Sequence, residues 1–131
     1  MVSDFPAGLS RSDIDFILQH DDEVLSSERI EGAKALWKIS YSLEGRQPVE
    51  LLIDNGVNEI YVQVFVQIDA DHIVDALNVV QSYAVVGLTV INEMLFMRSG
   101  FFIEHSTMHA LTNSYRSVAM AYLKYQQDLA A

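Results

Sequence analysis

The chain of 131 residues has no cysteine, two prolines, one tryptophan, and 8 basic residues against 18 acidic ones. The lack of cysteine excludes a disulfide framework, a thiol nucleophile and a thiolate metal site. With so few cations there is no phosphate-neutralising patch of the kind nucleic-acid binding needs, and a formal net charge of -10 favours a basic or neutral partner. Long hydrophobic runs are missing as well. The longest, Tyr83 to Ile91, falls well short of the ~20 residues of a membrane helix, and Met1 to Ser10 has no basic residue followed by an apolar run of the secretory kind. A soluble, cytoplasmic protein with no membrane or nucleic-acid partner is expected. No nucleophile elbow, P-loop, dinucleotide fingerprint or HExxH occurs, and the six glycines are dispersed.

Half the residues are hydrophobic and the mean hydropathy is +0.16, so the chain has enough apolar material for one folded domain over 1–131 despite its charge. The clearest pattern lies between Asn58 and Asp69. Ile60, Val62, Val64, Val66 and Ile68 alternate there with Tyr61, Gln63, Phe65 and Gln67. Successive side chains on a strand point to opposite faces, so this period predicts a strand with five aliphatics on one side.

Before it, Ser10 and Asp13 are spaced as a capping box and Leu9 faces Ile14 as a staple. They predict a first helix whose apolar face is Ile14, Ile17, Leu18, Val24 and Leu25. Trp37, Ile39, Tyr41 and Leu43 then alternate with Lys38, Ser40, Ser42 and Glu44, a strand closed by Gly45. Pro48 opens a further strand, Val49 to Asp54, and Asn55-Gly56 suits the positive φ angles of a tight hairpin. After the central strand Asp69 is placed to cap a second helix. Its stripe is Ile73, Ala76, Leu77, Val80, Tyr83 and Ala84, with Gly87 as the stop and Val74, Val79 and Val85 off the stripe. Leu88 to Met97 and Phe101 to Ser106 read as two strands about Arg98-Ser99-Gly100. A last helix begins near Thr112, with Met120 and Tyr125 off its core face. The expected fold is α+β: helix, three-stranded antiparallel meander, helix, two-stranded hairpin, helix.

His105 and His109, four apart and next to Glu104, are the candidates for metal or acid–base chemistry, and a small-molecule or metal-dependent enzyme built on these three is the alternative function. His20 and His72 read as surface residues. Tyr61 and Phe65, on the polar face of the central strand, point instead to an apolar partner surface.

The element order and acidic character resemble the type III secretion chaperone-like fold shared with the YbjN-like bacterial proteins. Val49 to Asp54, Ile60 to Val66 and Met97 to His105 leading into the last helix carry the resemblance. It implies a non-enzymatic, cofactor-free homodimer, chaperone-like or regulatory, that binds a segment of a client protein. It also implies a dimer interface on the second helix and following strand, at Val74, Val79, Leu88, Val90, Met94 and Phe96. Tyr61, Phe65 and Phe102 are the candidates for the client groove.

Overall fold

A computed structural model describes residues 8–32, 34–67 and 73–130. Within them the chain is α+β, with three α-helices and one six-stranded antiparallel sheet. Helix α1 (Arg11–His20) starts as its caps dictate. Ser10 Oγ accepts from the Asp13 backbone N–H at 3.1 Å, Asp13 Oδ2 accepts from the Ser10 N–H at 2.8 Å, and Leu9 and Ile14 are buried beside the cap. Val24 and Leu25 do not continue this helix. It ends at His20, and Val24–Ile30 forms an additional strand, β1, at the edge of the sheet. β1 is exposed on both faces over nearly its whole length, so it carries no alternation from which a strand could be read.

Strands β2 (Leu36–Tyr41), β3 (Val49–Asn55) and β4 (Glu59–Gln67) follow as the expected meander. β2 stops three residues early because Leu43–Gly45 turns as a short 3-10 segment, with Glu44 and Gly45 both at positive φ. The β3–β4 hairpin forms, but neither Asn55 nor Gly56 takes a positive φ. Gly56 N–H instead donates to the Glu59 carbonyl at 2.9 Å, closing a wider loop. In β4, Ile60, Val62 and Val64 are buried and Val66 is partly buried; burying each contributes roughly 1.5–3 kcal/mol. Ile68, Asp69 and His72 lie outside the described residues.

Helix α2 (Ile73–Val80) is shorter than its apolar pattern suggests, and Gly87 opens β5 (Gly87–Ile91) rather than ending the helix. The second hairpin turns at Asn92–Glu93, φ 50° and 67°, which is the left-handed pair of a two-residue primed turn. Arg98-Ser99-Gly100, expected as the turn, lies inside the nine-residue β6 (Met94–Phe102). Gly100 there sits opposite Tyr61, whose ring occupies the space a Cβ would need: its Cδ1 would be 2.9 Å away. Helix α3 (Met108–Ala130) begins one turn before Thr112, with Thr107 Oγ1 accepting from the Ala110 N–H. The sheet order is β1-β2-β3-β4-β6-β5.

All three helices pack on one face of the sheet. Trp37, Ile39, Tyr41, Leu51, Ile53, Ile60, Val62 and Met97 point into that layer and meet Ile14, Leu18, Leu111, Tyr115 and Val118. Val79 and Tyr125, expected off their core stripes, are buried in it, whereas Leu77 is exposed. Ser99 and Ser114 pair at 3.1 Å where α3 crosses β6, which satisfies two buried hydroxyls. No described helix is long and apolar enough to cross a membrane.

The chain enters α1 through a close contact. Gly8 has φ 90°, and a Cβ there would overlap the Ile103 carbonyl, while the adjacent Leu9 N–H donates to buried Ser106 Oγ at 2.9 Å. Gly8→Ala is therefore expected to detach this entry segment and to cost about 1–3 kcal/mol, read as a lowered midpoint in thermal unfolding. An unchanged midpoint would mean that the contact contributes nothing to folding.

Candidate functional site

The second face of the sheet has no described element on it. The strand register sets its composition: Lys38, Leu52, Gln63 and Arg98 stand in one row across β2, β3, β4 and β6. Phe65 and Phe96 stand opposite each other in the row on one side, Tyr61 and Gly100 in the row on the other, and Phe102 faces Glu59 at the end of β6. Period-two alternation in β4 and β6 puts all of these on the face opposite the core.

The aromatic side chains are organised. Phe65 and Phe96 meet edge to face with centroids 5.8 Å apart, and the Arg98 guanidinium lies 4.4 Å over the Tyr61 ring. Arg98 Nε and Nη2 donate to Gln63 Oε1 at 3.1 and 3.0 Å, so the guanidinium is held in place by a neutral acceptor. Between Lys38, Glu50, Leu52, Gln63, Phe65 and Phe96 lies a shallow, mostly apolar depression of about 250 Å³. Phe65 is 45% exposed and Phe102 71%, far more than aromatic side chains in a core. Of the three client-groove candidates, Tyr61 and Phe65 thus belong to one cluster on this face. Phe102 stands apart from them, near Val57 and Asn58 of the β3–β4 loop.

The six dimer candidates divide. Val74 and Val90 are exposed and Leu88 is half-buried, all on the helix side of the sheet near its β5 edge; Met94 and Phe96 lie on the open face. Val79 is only 4% exposed and packs into the core, so it has no surface to offer a second chain. Leu77 and Val85, not among the candidates, extend the exposed apolar rim around Val74 and Val90.

The three described histidines do not build a centre. His105 sits in a turn at φ 61° with Nε2 3.4 Å from Glu104 Oε1, both side chains being largely in solvent, and His109 is exposed on the first turn of α3. His20 stacks on Phe16 and bonds its carbonyl through Nδ1 at 2.8 Å. Among the described residues no group of three carboxylates or histidines is arranged to hold a metal ion.

One polar cluster has no precursor in the linear pattern. Tyr115 donates its hydroxyl to Asp21, and Tyr41 donates to Glu23 Oε1 at 2.7 Å. Arg116 Nη1 donates to the same Glu23 oxygen at 2.7 Å and its Nη2 to Glu44 Oε1 at 3.1 Å; the Glu44 N–H caps Glu23 Oε2. The Tyr41 hydroxyl bond, then the Glu44 N–H, hold the Glu23 carboxyl below its ordinary value against the opposing effect of burial. Burial, reinforced by the carboxylate each faces, pushes both phenols well above the usual tyrosine value. Glu23 therefore stays a carboxylate and the phenols stay neutral donors around neutrality, so none of these three groups is poised to exchange a proton there. The cluster ties the end of α1, β2 and α3 together rather than forming a reaction centre. No family model and no curated protein matches the chain.

Proposed function

We propose that this chain is a non-enzymatic, cytoplasmic protein-binding domain, a chaperone-like or regulatory adaptor that acts as a homodimer and holds a segment of a partner protein on its sheet. The observation that carries this reading is the aromatic surface on the open face, where Phe65 and Phe96 meet edge to face and Tyr61 lies under the Arg98 guanidinium, covered by no described element. Partner surfaces are enriched in aromatic residues and arginine, and both are concentrated here. The element order supports the type III secretion chaperone-like or YbjN-like kinship, since it differs from that arrangement by one strand added before the meander. The exposed apolar rim of Val74, Leu77, Val85 and Val90 beside the β5 edge is where a second copy would pack.

Native mass spectrometry of the untagged protein tests the reading. A mass near twice 14.7 kDa with no bound small molecule is expected. A monomer retaining a stoichiometric metal ion or metabolite would overturn it.

A further inference from the structure

Resting on the protein-binding reading, a narrower statement about the partner follows from charge. The chain has eight basic residues among 18 acidic ones. Arg11, Arg29, Lys34, Arg116 and Lys124 all pair with carboxylates of the chain itself. Among the described residues Lys38, Arg46 and Arg98 have no such pair, and two of these three, Lys38 and Arg98, stand in the same row of the open face. The net charge of the whole chain favours a basic or neutral partner, but a bound segment meets the local surface. In a chain with so large an excess of carboxylates, an arginine held by a neutral glutamine is the exception that sets the charge preference at this spot.

Arg98 is also prepared for an anion. Guanidinium has five N–H donors in a planar fork that matches a carboxylate, and two of the five go to Gln63 Oε1. A glutamate at position 63 would have neutralised the arginine; glutamine orients it and leaves its charge intact. Stacking on Tyr61 fixes the plane of the fork, so little side-chain freedom remains to be lost on binding. Phe96, two residues before Arg98 on β6, faces the same way about 7 Å off, beside the depression with Leu52 and Phe65. Glu50 borders the depression and Glu28 faces Lys38 across the strands, which makes Arg98 the stronger anchor of the two cations.

We propose that the open sheet face takes an acidic amphipathic segment of a partner protein, with one carboxylate on the Arg98 guanidinium and one large apolar side chain in the depression between Leu52, Phe65 and Phe96. A carboxylate and an apolar side chain at i and i+4 of a helix, or at i and i+2 of an extended strand, fall at about the required spacing.

Two synthetic amphipathic peptides with the same leucine and phenylalanine positions, one flanked by glutamate and the other by lysine, test this by titration calorimetry with the full chain. The glutamate peptide is expected to bind and the lysine peptide to bind at least tenfold more weakly. Arg98→Gln should weaken the glutamate peptide roughly 10–100-fold, whereas Arg46→Gln, which removes an unpaired cation from the β2–β3 connection, leaves it unchanged. Changing the peptide's glutamates to glutamines should give a comparable loss without touching the protein's fold. Equal binding of the two peptides, or equal effects of the two arginine substitutions, overturns the acidic partner. If Phe65→Ala still weakens both peptides in that case, protein binding at this face survives. Failure of both peptides to bind overturns the inference and removes support from the broader reading. Conversion of a dimer to a monomer by Phe65→Asp would identify a second copy as the occupant and likewise overturn it.

Discussion

Trp37→Ala is expected to cost about 3–5 kcal/mol, the range for removing a fully buried tryptophan. Trp37 is at 1% exposure in β2, under α1, and it also holds that helix down: its Nε1–H donates to Asp15 Oδ1 at 2.8 Å while Arg29 of β1 donates to Asp15 Oδ2 at 2.7 Å. Truncation leaves a void beneath the helix and removes one of the two bonds to Asp15. For a chain of this size the midpoint should fall by roughly 10–20 °C in thermal unfolding followed by circular dichroism. Trp37→Phe restores most of the volume but not the donor, and should recover more than half of the loss. A cost for the alanine variant under about 1 kcal/mol would mean that α1 is not seated on β2 as described.

The second large effect is alkaline unfolding. Tyr41 and Tyr115 are essentially inaccessible to solvent, and burial together with Glu23 and Asp21 raises both phenols well above the ordinary value near 10. Because the folded values lie above the unfolded one, the stability they support is fully present below about pH 10 and is lost as pH rises beyond it. Each phenol contributes a slope of up to about 1.4 kcal/mol per pH unit, so the pair removes roughly 5 kcal/mol by about pH 12. That approaches the whole stability of many domains. Phenolate absorbance and circular dichroism recorded together should show Tyr41 and Tyr115 ionising only as the chain unfolds, and Tyr115→Phe should make the alkaline limb shallower. Ionisation of all six tyrosines near pH 10 with the fold intact would contradict their burial.

The parts of the fold visible in the chain itself are those whose signal is local. The Ser10–Asp13 capping box and the alternation of β2 and β4 depend on residues a few positions apart, and the structure contains all three. β1 failed to register because a strand open on both faces has no reason to alternate. The second hairpin was misplaced because glycine at position 100 looks like a turn residue, whereas its function is to leave room for the Tyr61 ring; the turn is made by Asn92 and Glu93, neither of them glycine. Val79 and Leu77 exchanged roles because α2 is apolar nearly all round, so its own pattern does not decide which side faces α3.

Of the candidate site, the aromatic character of Tyr61 and Phe65 was evident from the outward positions of β4, but their partners were not. Phe96 and Arg98 join them only through the β4–β6 register: Phe96 was expected near the end of a strand running from Leu88 to Met97, as a dimer-interface residue, and Arg98 in the turn after it. The Asp21, Glu23, Tyr41 and Arg116 cluster draws on segments up to 94 residues apart, as in the Tyr115 to Asp21 bond, and no spacing rule reaches that far.

By itself, then, the sequence determined the α+β class, the central strand and its buried face, the cap of the first helix and the exclusion of thiol chemistry and phosphate-binding patches, because each follows from composition or from a period of a few residues. Only the tertiary structure decided which face of the sheet carries no described element, that Arg98 lies on Tyr61 with a neutral partner, and that two buried phenols meet carboxylates. Those arrangements arise from strand register and helix seating, which bring together side chains whose separation along the chain carries no information about their contact.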